Sequence, residues 1–158
     1  MNATGHAAKV KIFPPGVPLA AILLGVGLNW FWPIDLGFAI PTPLRYWVGG
    51  MIAVGGFGIG VWSVLLFKQQ NQSPNPWKPT PSIEERGPFR ITRNPMYLQM
   101  VLICIGFSVI LMNWWILLFT PVVALVLQHY AILPEEAYLE GRFGEAYLSY
   151  KRRVRRWI

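Results

Sequence analysis

The stretch "RGPFRITRNPMYLQM", residues 86–100, decides the fold. Three arginines and an Asn-Pro pair abut a run, Tyr97 to Leu133, that carries no Asp, Glu, Lys or Arg. As helix at 1.5 Å per residue, those 37 residues would reach about 55 Å. A bilayer's hydrocarbon core is only about 30 Å thick, so one straight crossing is excluded. The run must fold back on itself. The natural break is "MNWW", Met112 to Trp115, where Asn113 can turn the chain and two tryptophans suit the headgroup level. The expectation is a tight hairpin, 97–112 and 114–133, with Pro121 kinking its second arm.

Composition agrees with a membrane setting. The chain has 158 residues, 54% hydrophobic and 13% charged, with a mean hydropathy of +0.40. Soluble domains carry about 25% charge. Cys104, the single cysteine, cannot form an internal disulfide and reads as a buried apolar thiol. Neither an internal repeat nor a low-complexity tract stands out. The whole chain, 1–158, reads as a single membrane domain, with a two-helix part over 1–68 and a second part over 80–158.

Upstream, a first apolar segment runs from Val17 to Ile40, with Asp35 marking its far interface. Lys9 and Lys11 precede it, as in a signal peptide. The bulky "NWFWP" that continues it does not suit cleavage, so it reads as a retained helix with Trp30 and Trp32 in an aromatic belt. A second segment runs from Leu44 to Phe67. Its glycines, Gly56 and Gly60 among them, have small-xxx-small spacing, which lets helices approach closely. With the hairpin, that makes an all-α integral membrane protein of four transmembrane helices. Thirteen of the fourteen basic residues then fall on one side, leaving Arg45 alone opposite. The positive-inside rule makes that side, and both termini, cytoplasmic, as in a bacterial-type inner membrane.

Residues 86–94 become a cytoplasmic loop meeting the bilayer. Asn94 suits an N-cap and Pro95 a first helical position. Arg90 and Arg93 stand at the positive helix end, where two readings apply: an anionic ligand, or lipid phosphates. Past the hairpin, Pro134, Glu135 and Glu136 open a C-terminal helix. Leu139, Phe143, Tyr147, Tyr150, Val154 and Trp157 form an apolar stripe, and five cations lie among residues 151–156. On spacing alone this is an amphipathic helix lying on an anionic leaflet. Gln128 and His129 flank the acidic pair, so carboxylates, an imidazole and arginines could meet at one interface.

The combination "GPFRITRNPMYL", a hairpin, and "EEAYLEGRFGEAYLSYKRRV" resembles the isoprenylcysteine carboxyl methyltransferase and phospholipid N-methyltransferase group of membrane enzymes. The matching residues are Gly87, Pro88, Phe89, Arg90, Arg93, Asn94, Pro95, Tyr97, Glu135, Glu136, Leu139, Phe143, Gly144, Tyr147 and Tyr150. The resemblance implies S-adenosylmethionine as cofactor, held at the cytoplasmic membrane face and capped by the C-terminal helix. It implies a lipid-like or isoprenoid acceptor, with membrane lipids as surroundings and neither nucleic acid nor metal. Carried over, Arg90, Arg93, Asn94, Tyr97, Leu98 and Gln99 become cofactor contacts, with His129, Glu135 and Glu136 opposite. Tyr97 or Tyr147 would face the sulfonium, and Arg153 or Arg156 an acceptor carboxylate. Glu136, Tyr147 and Arg153 are the catalytic candidates. Many relatives have His where this chain has Asn94; a proton-shuttling role would be absent or moved to His129, whereas a hydrogen-bonding role survives.

Two rivals stand beside this reading. The architecture also resembles nicotinamide-dependent sterol or isoprenoid reductases of the membrane, though those are longer. A non-catalytic protein whose basic helix binds anionic lipid is the other.

Overall fold

The computed structural model describes residues 7–37 and 40–158. Residues 38–39, in the far end of the expected first span, lie outside them. The described residues are helical, with one isolated bridge, Thr92 to Arg155, in place of a sheet. The helices are α1 Gly16–Phe31, α2 Thr42–Gln69, α3 Pro95–Leu111, α4 Trp114–Leu127, α5 Leu133–Phe143 and α6 Glu145–Arg153. A 3₁₀ turn, Gly87–Arg90, precedes α3, and a π-helical segment, Gln128–Ile132, joins α4 to α5.

Among the described residues, two helical runs are long and apolar enough to cross a membrane: Thr42–Gln69 and Trp114–Phe143. The apolar part of the second ends at Leu133. α1 and α3 have 16 and 17 residues, below the roughly 20 of a usual span. The first span was expected to reach Ile40, but α1 stops at Phe31. Trp32 precedes Pro33, whose ring disfavours helical backbone one residue earlier, and Trp32 indeed sits at φ −137°, ψ 75°.

Contacts divide the chain into two compact units. One comprises Phe13–Gly58 and Tyr97–Leu127. In it, α1 packs against α4 at Gly25, where a Cβ would come within 3.0 Å of the Ile116 backbone nitrogen. Buried Asn113 joins the same two helices. Its Oδ1 accepts the Ile116 N–H (3.1 Å), capping α4, and its Nδ2 donates to the Gly25 carbonyl (3.0 Å). Met112 supplies the reversal with φ 48°, so only two residues separate α3 from α4. The hairpin break therefore falls where the sequence placed it. α2 and α3 meet along Gly49, Ala53 and Gly56 on one helix and Leu102, Gly106 and Ile110 on the other. A Cβ on Gly49 would stand 2.7 Å from the Gly106 carbonyl oxygen. Gly49 and Gly56 thus serve close helix approach; of the two glycines named from spacing, Gly56 stands at the contact.

The other unit comprises the described part of Met1–Ile12, Ile59–Met96 and Gln128–Ile158. Here the 3₁₀ turn packs on the C-terminal half of α2. Gly87 sits at φ +55°, and a Cβ there would lie 2.9 Å from Trp62 and Leu66 side-chain atoms. The Phe67 and Phe89 rings stack at 5.3 Å. In the π segment, Tyr130 loses its helical donor because Pro134, four residues on, has no N–H. The Lys11 N–H fills that carbonyl instead, at 3.2 Å.

The C-terminal helix expected from Pro134 onward is divided. Gly144, at φ 53°, ψ −126°, separates α5 from α6, and helix ends at Arg153. The apolar stripe is also not a lipid-facing stripe. Tyr147, Tyr150 and Val154 form a buried cluster with Ile83, Leu139 and Phe143 packed on it, and the Tyr150 hydroxyl donates to the Phe89 carbonyl at 2.7 Å. Spacing alone cannot tell a stripe that faces lipid from one that faces protein.

Candidate functional site

The approach to α3 and the segment after α6 are joined by direct hydrogen bonds. The Arg93 N–H donates to the Arg155 carbonyl (2.9 Å). The Thr92 hydroxyl and the Asn94 Nδ2 both donate to the Arg156 carbonyl, at 3.0 and 3.1 Å. The Arg93 Nη1 donates to the carbonyls of Lys151 (3.0 Å) and Val154 (2.8 Å). These carbonyls lie at and past the end of α6, where helix geometry leaves acceptors unfilled, so a guanidinium fits both by shape and by dipole.

Glu136, from the first turn of α5, completes the cluster. Its Oε1 accepts from the Arg93 Nη2 at 2.8 Å and from the Arg156 Nε at 3.1 Å; its Oε2 accepts from the Arg156 Nη2 at 2.8 Å. The Glu136 and Arg93 side chains are only 5% and 7% exposed, while Arg156 is 30% exposed. Burial raises the Glu136 carboxyl, but the bonds and charges of Arg156 and Arg93 outweigh it and hold the group below its ordinary 4.5. Glu136 lies past Leu133, outside the apolar run. Tyr147 stands beside this charge. Its phenol is pushed well above the usual value, first by burial and then by the negative Glu136.

Two guanidiniums face one carboxylate, so the triad keeps one positive charge unneutralised in a largely buried place. The Arg93 Nε is moreover a buried donor with no acceptor among the described residues. A charged donor left unfilled is costly. Both features suit an anionic group of a ligand.

The structure sorts the expected site residues. Arg93, Asn94 and Glu136 come together, joined by Arg156. Tyr147 is buried among the aromatics of α6 and holds no exposed position. Arg90 is exposed at the end of the 3₁₀ turn, outside the cluster. Arg153, proposed for an acceptor carboxylate, is 60% exposed and pairs with Glu85 at 2.9 Å. Arg156 takes the bidentate role, on an internal carboxylate. Glu135 sits half-buried in the first turn of α5, and His129 is exposed in the π segment. Tyr97, Leu98 and Gln99 belong to the first turns of α3 in the other unit, with Tyr97 buried. Sequence reasoning missed Thr92, and missed Gln128 as acceptor for the Trp157 indole N–H (2.9 Å). Thr92 stands one position before Arg93, which was a usable signal; nothing in the sequence pairs residues 128 and 157.

Comparison with known proteins bears on this arrangement. A family model described as phospholipid methyltransferase matches residues 44–146, about two thirds of the chain. An uncharacterized protein of Haemophilus influenzae is 40% identical over 63 residues, which are 40% of this chain and the whole of that protein. No solved structure matches. The matched region contains α2 from Leu44 onward, the Arg-Asn-Pro entry to α3, the hairpin and the acidic pair, so the chain belongs to the phospholipid methyltransferase family, in the group of membrane methyltransferases that includes the isoprenylcysteine carboxyl methyltransferases.

Proposed function

We propose that the protein transfers a methyl group from S-adenosylmethionine to a lipid-like acceptor, an isoprenylcysteine carboxylate or similar, at the cytoplasmic membrane face. The observation that carries this reading is the buried Arg93–Glu136–Arg156 triad, with its surplus positive charge and the unfilled Arg93 Nε. Family membership supports the reaction class. Four crossings with both termini cytoplasmic complete the proposal, supported by the one-sided distribution of basic residues.

The cofactor supplies a sulfonium-bound methyl group, and its transfer is an in-line displacement. Such a reaction needs positioning more than proton transfer. The residues present suit that demand. Arg93 offers a fixed cationic donor for a carboxylate. Glu136, with both oxygens already bonded to arginines, keeps about one lone-pair site, on Oε2, for a ribose hydroxyl or an amine. Asn94 works here as a hydrogen-bonding residue, already donating to the Arg156 carbonyl, which favours a holding role at this position over proton shuttling.

The test is titration of the purified protein in detergent with S-adenosylhomocysteine. A saturable heat signal and a thermal upshift are expected; the absence of both overturns the reading. Incubating membranes with a labelled methyl donor and identifying the labelled lipid then names the acceptor.

A further inference from the structure

Arg156 does not reach Glu136 from a helix. It lies past the end of α6, which stops at Arg153, in a segment whose direction is set by Val154 in extended backbone at φ −122°, ψ 133°. An extended end with a long side chain has no intrinsic reason to aim a guanidinium at a buried carboxylate. Fixing one rotamer-rich arginine costs about 1–2 kcal/mol of side-chain entropy. Something must hold the backbone on either side of Arg156.

Thr92, Asn94 and the Gln128–Trp157 pair, all outside the charged triad, do so. Before it, the Arg155 carbonyl accepts the Arg93 N–H, and at Arg156 itself the carbonyl accepts the buried Thr92 hydroxyl at 3.0 Å. That hydroxyl oxygen also accepts the Asn94 N–H at 3.1 Å, so Thr92 fixes both the Arg156 carbonyl and the backbone at Asn94. After it, Trp157 is anchored through its indole N–H on the Gln128 Oε1, 2.9 Å away, in the π segment. The Arg156 backbone is thereby clamped on both sides while its guanidinium closes on Glu136.

We propose that Thr92 and the Gln128–Trp157 pair are positioning residues: they orient Arg156 on Glu136 and so set the affinity of the cofactor site. Neither needs to touch the cofactor. The inference rests on the reading above for its functional consequence and on the hydrogen bonds alone for its geometry.

The experiment has two arms. The first measures S-adenosylhomocysteine affinity for the wild type, T92V, T92S, W157F, Q128L and Q128E. W157F and Q128L each remove one hydrogen bond, which corresponds to about a fivefold weakening, and T92V removes two, the bond to the Arg156 carbonyl and the one from the Asn94 N–H, so it is expected to weaken binding at least as much. T92S and Q128E keep the hydroxyl and the acceptor oxygen and are expected to stay within about twofold of wild type. A residue that only supports the fold would not show that rescue together with an unchanged unfolding temperature. The second arm needs no ligand: amide hydrogen exchange of residues 154–158 is expected to rise in T92V and W157F, with α5 unchanged. If the wild type binds no S-adenosylhomocysteine, the cofactor reading fails and the exchange arm alone decides the positioning. If exchange at 154–158 is unaltered, or T92V and W157F bind as wild type does, the positioning proposal is overturned.

Discussion

Arg93 and Glu136 stand 43 positions apart in sequence and 2.8 Å apart in space. That pair links the loop before α3 to the first turn of α5, and the α3–α4 hairpin is the intervening chain. The candidate site and the fold therefore share the same bond. Glu136, buried between two guanidiniums, is thus also a residue of the fold.

Glu136→Gln is expected to destabilise the protein by about 3–5 kcal/mol, because it leaves two guanidiniums without a counter-charge. Arg156→Gln is expected to cost less, since its side chain is 30% exposed and water can replace part of the pair. Thermal unfolding in detergent, run on both variants, checks the order; equal losses would contradict it.

Neighbouring glycines on α2 give a controlled comparison. At Gly49 a Cβ would meet the Gly106 carbonyl oxygen at 2.7 Å and the Ile110 nitrogen at 2.9 Å, and backbone cannot step aside cheaply. Gly49→Ala is expected to cost about 1–3 kcal/mol. Gly50 has nothing within 4 Å, so Gly50→Ala is expected to be neutral or to stabilise by up to about 1 kcal/mol. The pair is compared by unfolding temperature.

Asn113 satisfies a donor on α4 and an acceptor on α1 at once. Asn113→Leu leaves both unfilled in a buried place, an expected loss of about 1–3 kcal/mol. Asn113→Asp keeps the cap on Ile116 but sets a carboxylate oxygen against the Gly25 carbonyl. It is expected to be no better than the leucine variant, again by thermal unfolding.

Stability should fall on both sides of neutral pH. Glu136 and Glu84 are held below the ordinary 4.5, the first by Arg156 and Arg93 against its burial, the second by the Arg86 hydrogen bond. The folded state thus favours their ionised forms, and this stability is present above about pH 4.5 and lost as pH falls below it. Tyr147 and Tyr150 are raised above 10, first by burial. Their contribution is complete below pH 10 and is lost as pH rises past it. Tyr147→Phe is expected to flatten the alkaline limb only, as read from denaturation midpoints across a pH series.

The features legible in the sequence are those set by local physics. The hairpin break at Met112 and Asn113 could be read because an apolar run of that length must turn, and a turn needs a residue such as Asn. The close approach of α2 and α3 could be read from glycine spacing. The end of α1 was missed because Pro33 outweighed the apolar character of residues 34–40. The division at Gly144 was missed because the stripe keeps helical spacing on both sides of it. In the charged cluster, Arg93, Asn94 and Glu136 were singled out by motif. Arg156 was hidden among five neighbouring cations, since only the tertiary pairing of residues 92–94 with 155–156 selects one of them.

The bridge between Thr92 and Arg155 has a consequence for biosynthesis. Arg156 leaves the ribosome after every described helix has already done so. Helices can therefore partition into the bilayer while the charged triad is still incomplete. Until residues 155–157 dock, Glu136 and Arg93 wait without their third partner. On the function proposed above, cofactor binding therefore follows the docking of residues 155–157 onto a bundle already in the bilayer.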